Sequence, residues 1–216
     1  MCGKFSQSMT WRQLVDASQP LIPRPEEACA VVTPMTPAYV VGVGGDGRRW
    51  AAPMVWGFVE GGRLRHIHAR GETSNIRPTF RRPFAEGRGV VMVRSFNEAD
   101  EPRPGRTRQW VIAPGGAKEI AIAVLFRKQE VYQGLEFGFV QVTTGANARI
   151  AAIGDRMPAV LDPDSISVWL GEVPASASSL LSRLRPFEDD ADWTITPEVT
   201  TAAGGPGAGD RQLSLF

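Results

Sequence analysis

Short apolar runs, bounded by proline and glycine, predict a domain built mainly from β-strands. Alternating apolar residues cover 29–42 and 49–59, on either side of a glycine-rich turn at residues 44–47. Residues 33–37 contain two prolines and interrupt the first of these strands. Similar runs predict further strands at residues 90–93, 109–114, 119–127, 137–144 and near 193–200.

Few segments have the spacing of an amphipathic helix. Short helices are predicted at residues 8–18, 77–82, 163–170 and 175–185. Asp162, followed by a proline, is the expected cap of the third helix. Residues 99–108 are charged and contain two prolines, so a loop is predicted there.

The two histidines, His66 and His68, lie in a possible strand over residues 63–70. Alternation places both on one face of that strand, together with Leu64. Two histidines at strand spacing belong more often to a polar surface than to a metal site, and no third ligand is evident in the sequence. We therefore expect no metal and no cofactor.

The composition is ordinary for a globular protein. The 216 residues are 43% hydrophobic and 22% charged, enough for one large domain or one domain and a tail. No signal sequence and no apolar run near eighteen residues is evident, so a cytosolic protein without a membrane segment is expected. We predict a domain over residues 1–199, a flexible Gly/Ala linker over 200–211 and a terminal peptide over 212–216.

The basic residues are unevenly distributed. The net charge is only +1, but 21 of the 24 basic residues are arginine, the better donor to phosphate. Residues 63–108 contain eleven arginines and five acidic residues. This stretch is either a salt-bridged, solvated surface or a face that contacts phosphates.

The start of the chain, Met1-Cys2-Gly3, has distinctive chemistry. The small Cys2 side chain should allow removal of Met1, which leaves a thiol and a free α-amine on adjacent carbons. The amine condenses with an aldehyde to an imine, and the thiol then closes a thiazolidine ring on the imine carbon. An α-amine titrates near pH ~8 and a thiol near ~8.5, so both nucleophiles are accessible at neutral pH. On position alone, a chance Met-Cys-Gly start is the alternative.

The second cysteine, Cys29, lies in an apolar run and is expected to be a small buried residue. With two cysteines and no CxxC spacing, neither a disulfide scaffold nor a structural zinc is expected. A cytosolic location would keep the Cys2 thiol reduced.

Several separate motifs resemble the SOS response-associated peptidase (SRAP) family, whose members attach covalently to abasic sites in single-stranded DNA through an N-terminal cysteine. Each motif is weak alone, but their order and spacing are specific over roughly residues 2–198. Besides the amino terminus they are Met54-Val55-Trp56-Gly57-Phe58, His68-Ala69-Arg70-Gly71-Glu72-Thr73, Arg94-Ser95-Phe96-Asn97-Glu98, Thr143-Thr144-Gly145-Ala146-Asn147 and Asp155-Arg156-Met157-Pro158-Ala159-Val160-Leu161.

The resemblance implies a fold and a site. The fold is α+β, with mixed strands curled into a barrel-like sheet flanked by short helices. Cys2 is the implied nucleophile, and Glu98 occupies the position of the catalytic glutamate that relays protons. The implied DNA-binding residues are Arg70 and Arg156 on phosphates, Pro34 and Trp56 around the pocket and against bases, and also Thr73, Arg77, Arg81 and Asn147. The implied partner is single-stranded DNA with abasic sites, bound by a monomer.

Two departures from the family pattern concern acid–base chemistry. His68 stands where the family normally has asparagine, and Gly154 stands where it normally has a histidine before Asp-Arg-Met-Pro. The family histidine is thought to help open the sugar and to assist reversal of the cross-link. Our hypothesis is that His68 substitutes for it, because imidazole serves as an acid or a base near neutral pH.

The last residues, Gln212, Leu213, Ser214, Leu215 and Phe216, resemble the peptide with which bacterial repair and replication proteins bind the sliding clamp of the polymerase. Gln212, Leu213, Leu215 and Phe216 are the expected clamp contacts. Their place after a flexible linker suits a tethered peptide ligand. A nucleoid-associated protein is then expected.

Two other interpretations stay open at this point. Class II glutamine amidotransferases also begin Met-Cys-Gly, but this chain has no Asn-Gly element and the match ends at three residues. Alternatively, the chain is a degenerate SRAP member that binds single-stranded or damaged DNA without reacting and brings it to the clamp.

Overall fold

The computed structural model describes residues 2–7, 31–187 and 192–198. The helix predicted at 8–18, Cys29, the linker and the terminal peptide lie outside these residues. The described strands are β1 (Lys4–Ser6), β2 (Pro37–Val43), β3 (Arg49–Trp56), β4 (Phe58–Glu60), β5 (Arg63–His66), β6 (His68–Arg70), β7 (Arg88–Val93), β8 (Ser95–Arg103), β9 (Arg106–Pro114), β10 (Ile120–Tyr132), β11 (Leu135–Gly145), β12 (Arg156–Pro158), β13 (Val160–Leu161) and β14 (Trp193–Pro197). The helices are α1 (Pro78–Glu86), α2 (Pro163–Leu170) and α3 (Ala177–Ser182), with 3₁₀ turns at Gly71–Thr73, Gly115–Ala117 and Ile150–Ala152.

A closed barrel forms from five strands in the order β11-β3-β2-β7-β10. The barrel closes because β10 pairs with both β7 and β11. Its β3–β11 pairing is parallel, whereas the other pairings between barrel strands are antiparallel. Strands β6 and β12 extend the sheet from β11, and β13 pairs with β10. The predicted α+β class with a barrel-like sheet is confirmed.

Alternation along the barrel strands produces two apolar cores. One packs the barrel against the helices, with Phe80 and Phe84 from α1 and Trp169 from α2. Because helices lie outside a barrel, the alternate residues of these strands face its interior. The second core contains residues of all five barrel strands together with Cys2 and Phe5.

The helices are short and cover one side of the barrel. Pro78 and Pro163 occupy the first turns of α1 and α2, where their missing N–H groups cost nothing. Asp162 precedes α2 as predicted, although its side chain makes no capping hydrogen bond. No helix in the described ranges is long and apolar enough to cross a membrane.

A second sheet has the order β1-β8-β9-β14. It corrects the loop predicted at residues 99–108, because β8 and β9 continue through this stretch as a hairpin with Arg103 opposite Arg106. Two of the charges that suggested a loop are paired across the strands instead. Asp100 forms an ion pair with Arg108 and accepts a hydrogen bond of 3.1 Å from Trp110 Nε1.

Strand β1 pairs with β8 and carries the amino terminus into the second core. Phe5 is fully buried, exchanges two backbone hydrogen bonds with Val32 and contacts the Trp56 ring at 5.0 Å. Gln7 is also buried: its Nε2 donates to the carbonyl oxygens of Tyr39 and Met92, and its Oε1 accepts from the amide of Tyr39. These contacts fix the segment that begins with Cys2.

The predicted strand over 63–70 is broken at Ile67, which corrects the expected alternation. Gly57, with φ +126°, turns the chain after β3 so that β4 pairs with β5. Strand β6 instead pairs with β11. As a result His66 is exposed against the Phe80 ring, whereas His68 points into the structure.

Candidate functional site

Cys2 is 1% exposed and belongs to the core that contains residues of all five barrel strands. The pairing of β1 with β8, with Lys4 opposite Asn97, brings Cys2 beside Glu98. The thiol donates a hydrogen bond of 3.2 Å to the carbonyl of Lys4. Burial, and then the negative charge of Glu98, raise the pKa of Cys2 to about 12. The thiol is therefore neutral at neutral pH in this arrangement.

Glu98 is fully buried in β8 rather than lying in a solvated loop. Alternation directs it to the same side as Phe96, which belongs to the core that contains Cys2. Burial raises the pKa of Glu98, and the backbone amide of Cys2 opposes this by donating to the carboxylate. That backbone nitrogen is the one that becomes the α-amine when Met1 is removed.

His68 approaches Cys2 from another element, β6. Its ring lies edge-on to Trp56, with 6.2 Å between centroids. Burial lowers the pKa of His68 to about 4, and hydrogen bonding with the backbone of Cys2 opposes this. The imidazole is therefore neutral at pH 7, and its buried Nε2 has no hydrogen-bond partner in the described part of the chain. The structure thus brings together the three predicted catalytic residues.

Gly154 faces the same carboxylate. A Cβ built on Gly154 would lie 3.6 Å from Oε2 of Glu98, an ordinary van der Waals distance. The position therefore has room for a Cβ atom, which would lie in contact with the Glu98 carboxylate.

The predicted pocket residues Pro34 and Trp56 have different environments. Pro34 is half-buried in a turn whose next residue, Met35, has a left-handed φ of 71°. The turn is held to β3 by hydrogen bonds from Met35 to the Trp56 carbonyl and from the Trp56 amide to Thr36. Trp56 is fully buried, and its Nε1 donates to Ile67 at 3.0 Å. No face of the indole is open to a nucleobase.

Three of the predicted DNA-binding residues are exposed arginines, which we call the arginine face: Arg70, Arg77 and Arg81. None of the three forms an ion pair with another described residue. Arg70 lies two residues beyond His68 in β6, and Arg77 precedes α1. Thr73, half-buried between them, accepts the backbone amide of Arg77 through its carbonyl.

Arg156 and Asn147 are already engaged. Arg156 is mostly buried and binds Glu72 through two hydrogen bonds of 2.7 and 2.8 Å, with a third to the carbonyl of Thr143. Asn147 accepts the amide of Ile150, which begins a 3₁₀ turn, and donates to the carbonyl of Phe187. In this state neither side chain is free to contact DNA, and both hold the end of β11 in place.

The sequence interpretation missed Gln141 in β11. It is fully buried, and its Cα pairs in register with that of His68. The signal in the sequence was a glutamine within Phe139-Val140-Gln141-Val142, a run of the strand whose other members are apolar. A polar residue in such a strand requires a polar neighbour.

Comparison with known proteins gives a consistent result. A family described as SOS response associated peptidase (SRAP) matches residues 1–202. The abasic site processing protein YoaM of Bacillus subtilis is 26% identical over 222 residues, covering 99% of this chain and 97% of that protein. YoqW of Bacillus subtilis, also described as an abasic site processing protein, is 28% identical over 159 residues, covering 73% and 70%. A crystal structure of a Bordetella bronchiseptica protein superposes with a TM-score of 0.75 at 18% identity, covering 92% of this chain and 100% of that one.

Proposed function

Since the chain belongs to the SOS response-associated peptidase family, we propose that it captures abasic sites in single-stranded DNA covalently through Cys2. The observation that carries this proposal is the contact of Cys2 with both Glu98 and His68. The description of its relatives as abasic site processing proteins agrees with this chemistry.

The reaction begins on the ring-opened form of the abasic sugar, which exposes an aldehyde at C1′. The neutral α-amine of processed Cys2 adds to this carbon, and the resulting carbinolamine loses water to give an imine. The sulfur then adds to the imine carbon while the thiol proton leaves and the nitrogen gains one. The balance is one aldehyde and one aminothiol giving one thiazolidine and one water, with no redox change.

Glu98 supplies the proton needed for the loss of water. Burial raises its pKa, so it retains a proton at higher pH than an exposed glutamate. It contacts the nitrogen that attacks, so the protonated carboxyl can donate to the departing hydroxyl and the resulting carboxylate can then accept a proton from the nitrogen, which leaves the imine and water.

His68 accepts the thiol proton during ring closure. A thiol with a pKa of about 12 needs a base to react as a thiolate. Neutral His68 can provide an acceptor nitrogen beside Cys2. In this role His68, which stands at the family's asparagine position, takes over acid–base chemistry from the family histidine that Gly154 replaces.

The DNA backbone lies along the arginine face. These guanidinium groups are exposed, Arg70 lies on the same strand as His68, and phosphate is a preferred ligand of arginine. Arg156 joins them only if a phosphate replaces Glu72, because both of its terminal nitrogens are engaged in the unbound state.

A denaturing gel tests the covalent step. Purified protein, with loss of Met1 verified by mass, is incubated with an oligonucleotide containing one abasic site. Wild type and Cys29→Ala should give a band of reduced mobility, and Cys2→Ala should give none. Equal bands for Cys2→Ala and wild type would contradict the proposal. Binding without any covalent band would favour the degenerate, non-reacting member of the family.

Cys2→Ser separates the two bond-forming steps. Its α-amine can still form the imine, but the hydroxyl closes the ring poorly. Borohydride should therefore trap the serine variant efficiently and wild type little. Trapping of both to the same extent would mean that the sulfur does not close a ring.

We also propose that residues 212–216 bind the polymerase sliding clamp. The support is their resemblance to clamp-binding peptides and their place after a Gly/Ala-rich segment. Deleting them should abolish binding to the purified clamp while leaving the cross-linking rate unchanged. Clamp binding that survives the deletion would contradict this part of the proposal.

A further inference from the structure

Gln141 presents a buried side-chain amide that lacks a hydrogen-bond partner among the described residues. Its relative exposure is 0%, and neither Oε1 nor Nε2 meets the geometry of a hydrogen bond with any residue in the described ranges. Leaving such groups unsatisfied in a protein interior is costly. A leucine would fit the apolar strand better, so the amide requires an explanation other than stability.

The register between β11 and β6 places Gln141 beside His68. Residues paired on adjacent strands project to the same face, and Gln141 is paired with His68. The next pair, Val142 and Ala69, belongs to the core between barrel and helices, so Gln141 and His68 project to the opposite side, where Cys2 lies. His68 Nε2 is itself buried and unpartnered among the described residues. Two incomplete polar groups therefore face each other beside Cys2.

We propose that Gln141 is a positioning residue for His68, whose amide holds the imidazole in one tautomer and one orientation toward Cys2. This inference rests on the proposed function, because it concerns the same reaction.

The chemistry of the two side chains supports this pairing. Neutral imidazole has one donor and one acceptor nitrogen, and the hydrogen bond made by one nitrogen determines the role of the other. Burial lowers the pKa of His68, and the nearby backbone of Cys2 and side chain of Gln141 oppose this, so the amide of Gln141 lies within reach of the ring. The ring nitrogen that the amide engages determines whether the other nitrogen donates or accepts on the Cys2 side. The other titratable groups around this point are the thiol of Cys2, its α-amine after processing, and Glu98.

The effect of Gln141 on the His68 ring can be observed by NMR, because the protein has two histidines and their signals are easily assigned. In ¹⁵N-histidine-labelled protein, long-range proton–nitrogen spectra report the tautomer of each ring, and His66→Gln assigns the signals. Exposed His66 serves as the internal reference. At neutral pH we expect the ring of His68 to show a single tautomer in wild type and an averaged one in Gln141→Leu. Unchanged His68 resonances in Gln141→Leu would overturn the proposal.

Kinetics then test whether the positioning matters. Gln141→Leu should slow cross-linking at least tenfold while the melting temperature stays the same or rises, because leucine suits the apolar strand. In a His68→Ala background, the same substitution should have no further effect on the rate. A tenfold further loss in that background would mean that Gln141 acts directly and not through His68, which contradicts the proposal.

A negative charge introduced at position 141 provides a third test. Gln141→Glu places a carboxylate beside the ring, which favours the imidazolium form. The proton uptake of His68 and the acid limb of the cross-linking pH profile should then both move to higher pH. A pH profile identical to that of wild type would overturn the proposal. If wild type forms no cross-link at all, the proposed function fails, while the spectra still decide whether the two side chains pair.

Discussion

Gln7 should determine whether Cys2 stays in its site. The Gln7 side chain makes three buried hydrogen bonds, two to carbonyl oxygens of β2 and β7 and one from the amide of Tyr39. Gln7→Leu keeps nearly the same volume and removes all three. At about 1 kcal/mol net for each hydrogen bond, the substitution removes about 3 kcal/mol of stabilising free energy. Burial of the leucine side chain restores about 1 kcal/mol of this.

The net loss of about 2 kcal/mol is small against the roughly 5–15 kcal/mol that stabilises a domain, so the fold should persist. It acts mainly on the docking of residues 2–7, where it lowers the docking equilibrium about 30-fold. The cross-linking rate should fall by up to that factor, because the reactive amine and Glu98 are then less often in contact. Docking is weakened without any change to the reacting groups.

Hydrogen exchange measures the docking of residues 2–7, and gel kinetics measure the cross-linking rate. Peptides covering residues 2–7 should exchange faster in Gln7→Leu, because the amide of Phe5 is held by Val32 only while the segment is docked. The matched control is Gln129→Leu, which loses a hydrogen bond of 3.0 Å from the Val59 amide far from Cys2. The control should lose some stability and keep its rate. A Gln7→Leu protein that cross-links at the rate of wild type would refute the reasoning.

Three further substitutions test the charges around the site. Glu98→Gln should slow cross-linking and yet raise the unfolding free energy at neutral pH. Folding raises the pKa of this carboxyl, so the folded wild type loses stability as the pH rises from the unfolded-state pKa to the folded-state pKa. Denaturant titrations at pH 4.5 and 7.5 measure the unfolding free energies of variant and wild type. The same difference in unfolding free energy at both pH values would refute the reasoning. Glu72→Gln frees Arg156, so the salt dependence of single-stranded DNA binding should steepen by about one unit, at a stability cost below ~1 kcal/mol because Glu72 is half exposed. Gly154→His should place an imidazole beside Glu98 and speed release of a preformed cross-link, whereas Gly154→Ala, which meets only an ordinary contact, should leave both stability and release unchanged.

Local patterns predicted most of the elements because burial on one face dictates the alternation of β-strands. The strands at 109–114, 119–127 and 137–144 and the helix after Asp162 lie where this alternation and the Asp-Pro pair indicated. The hairpin at 99–108 escaped prediction because its stabilising pairs, such as Asp100 with Arg108, join residues that only the strand register brings together. Charge and proline content cannot reveal such pairing.

Fewer features of the site than of the fold could be predicted, because contacts in the site also depend on strand pairing between distant residues. Cys2 and Glu98 could be identified from the family motifs, but their contact depends on the pairing of β1 with β8 across more than ninety residues of sequence. The different fates of His66 and His68 depend on the break at Ile67, which alternation alone does not indicate. Gln141 carried a signal, a lone amide among valines, but nothing in the sequence linked it to His68.

Burial shifts the pKa values of Cys2, Glu98 and His68 in the direction that favours the neutral form of each side chain. The pKa of Cys2 is raised to about 12, that of Glu98 is raised, and that of His68 is lowered to about 4. A neutral buried thiol is a poor target for oxidants and alkylating agents, since these react with the thiolate. The same thiol needs no lasting negative charge to close a ring on an imine that has already formed beside it, provided that a neighbouring base takes its proton. These neutral forms agree with the proposed mechanism, in which the amine reacts first with an aldehyde and the sulfur closes the ring afterwards.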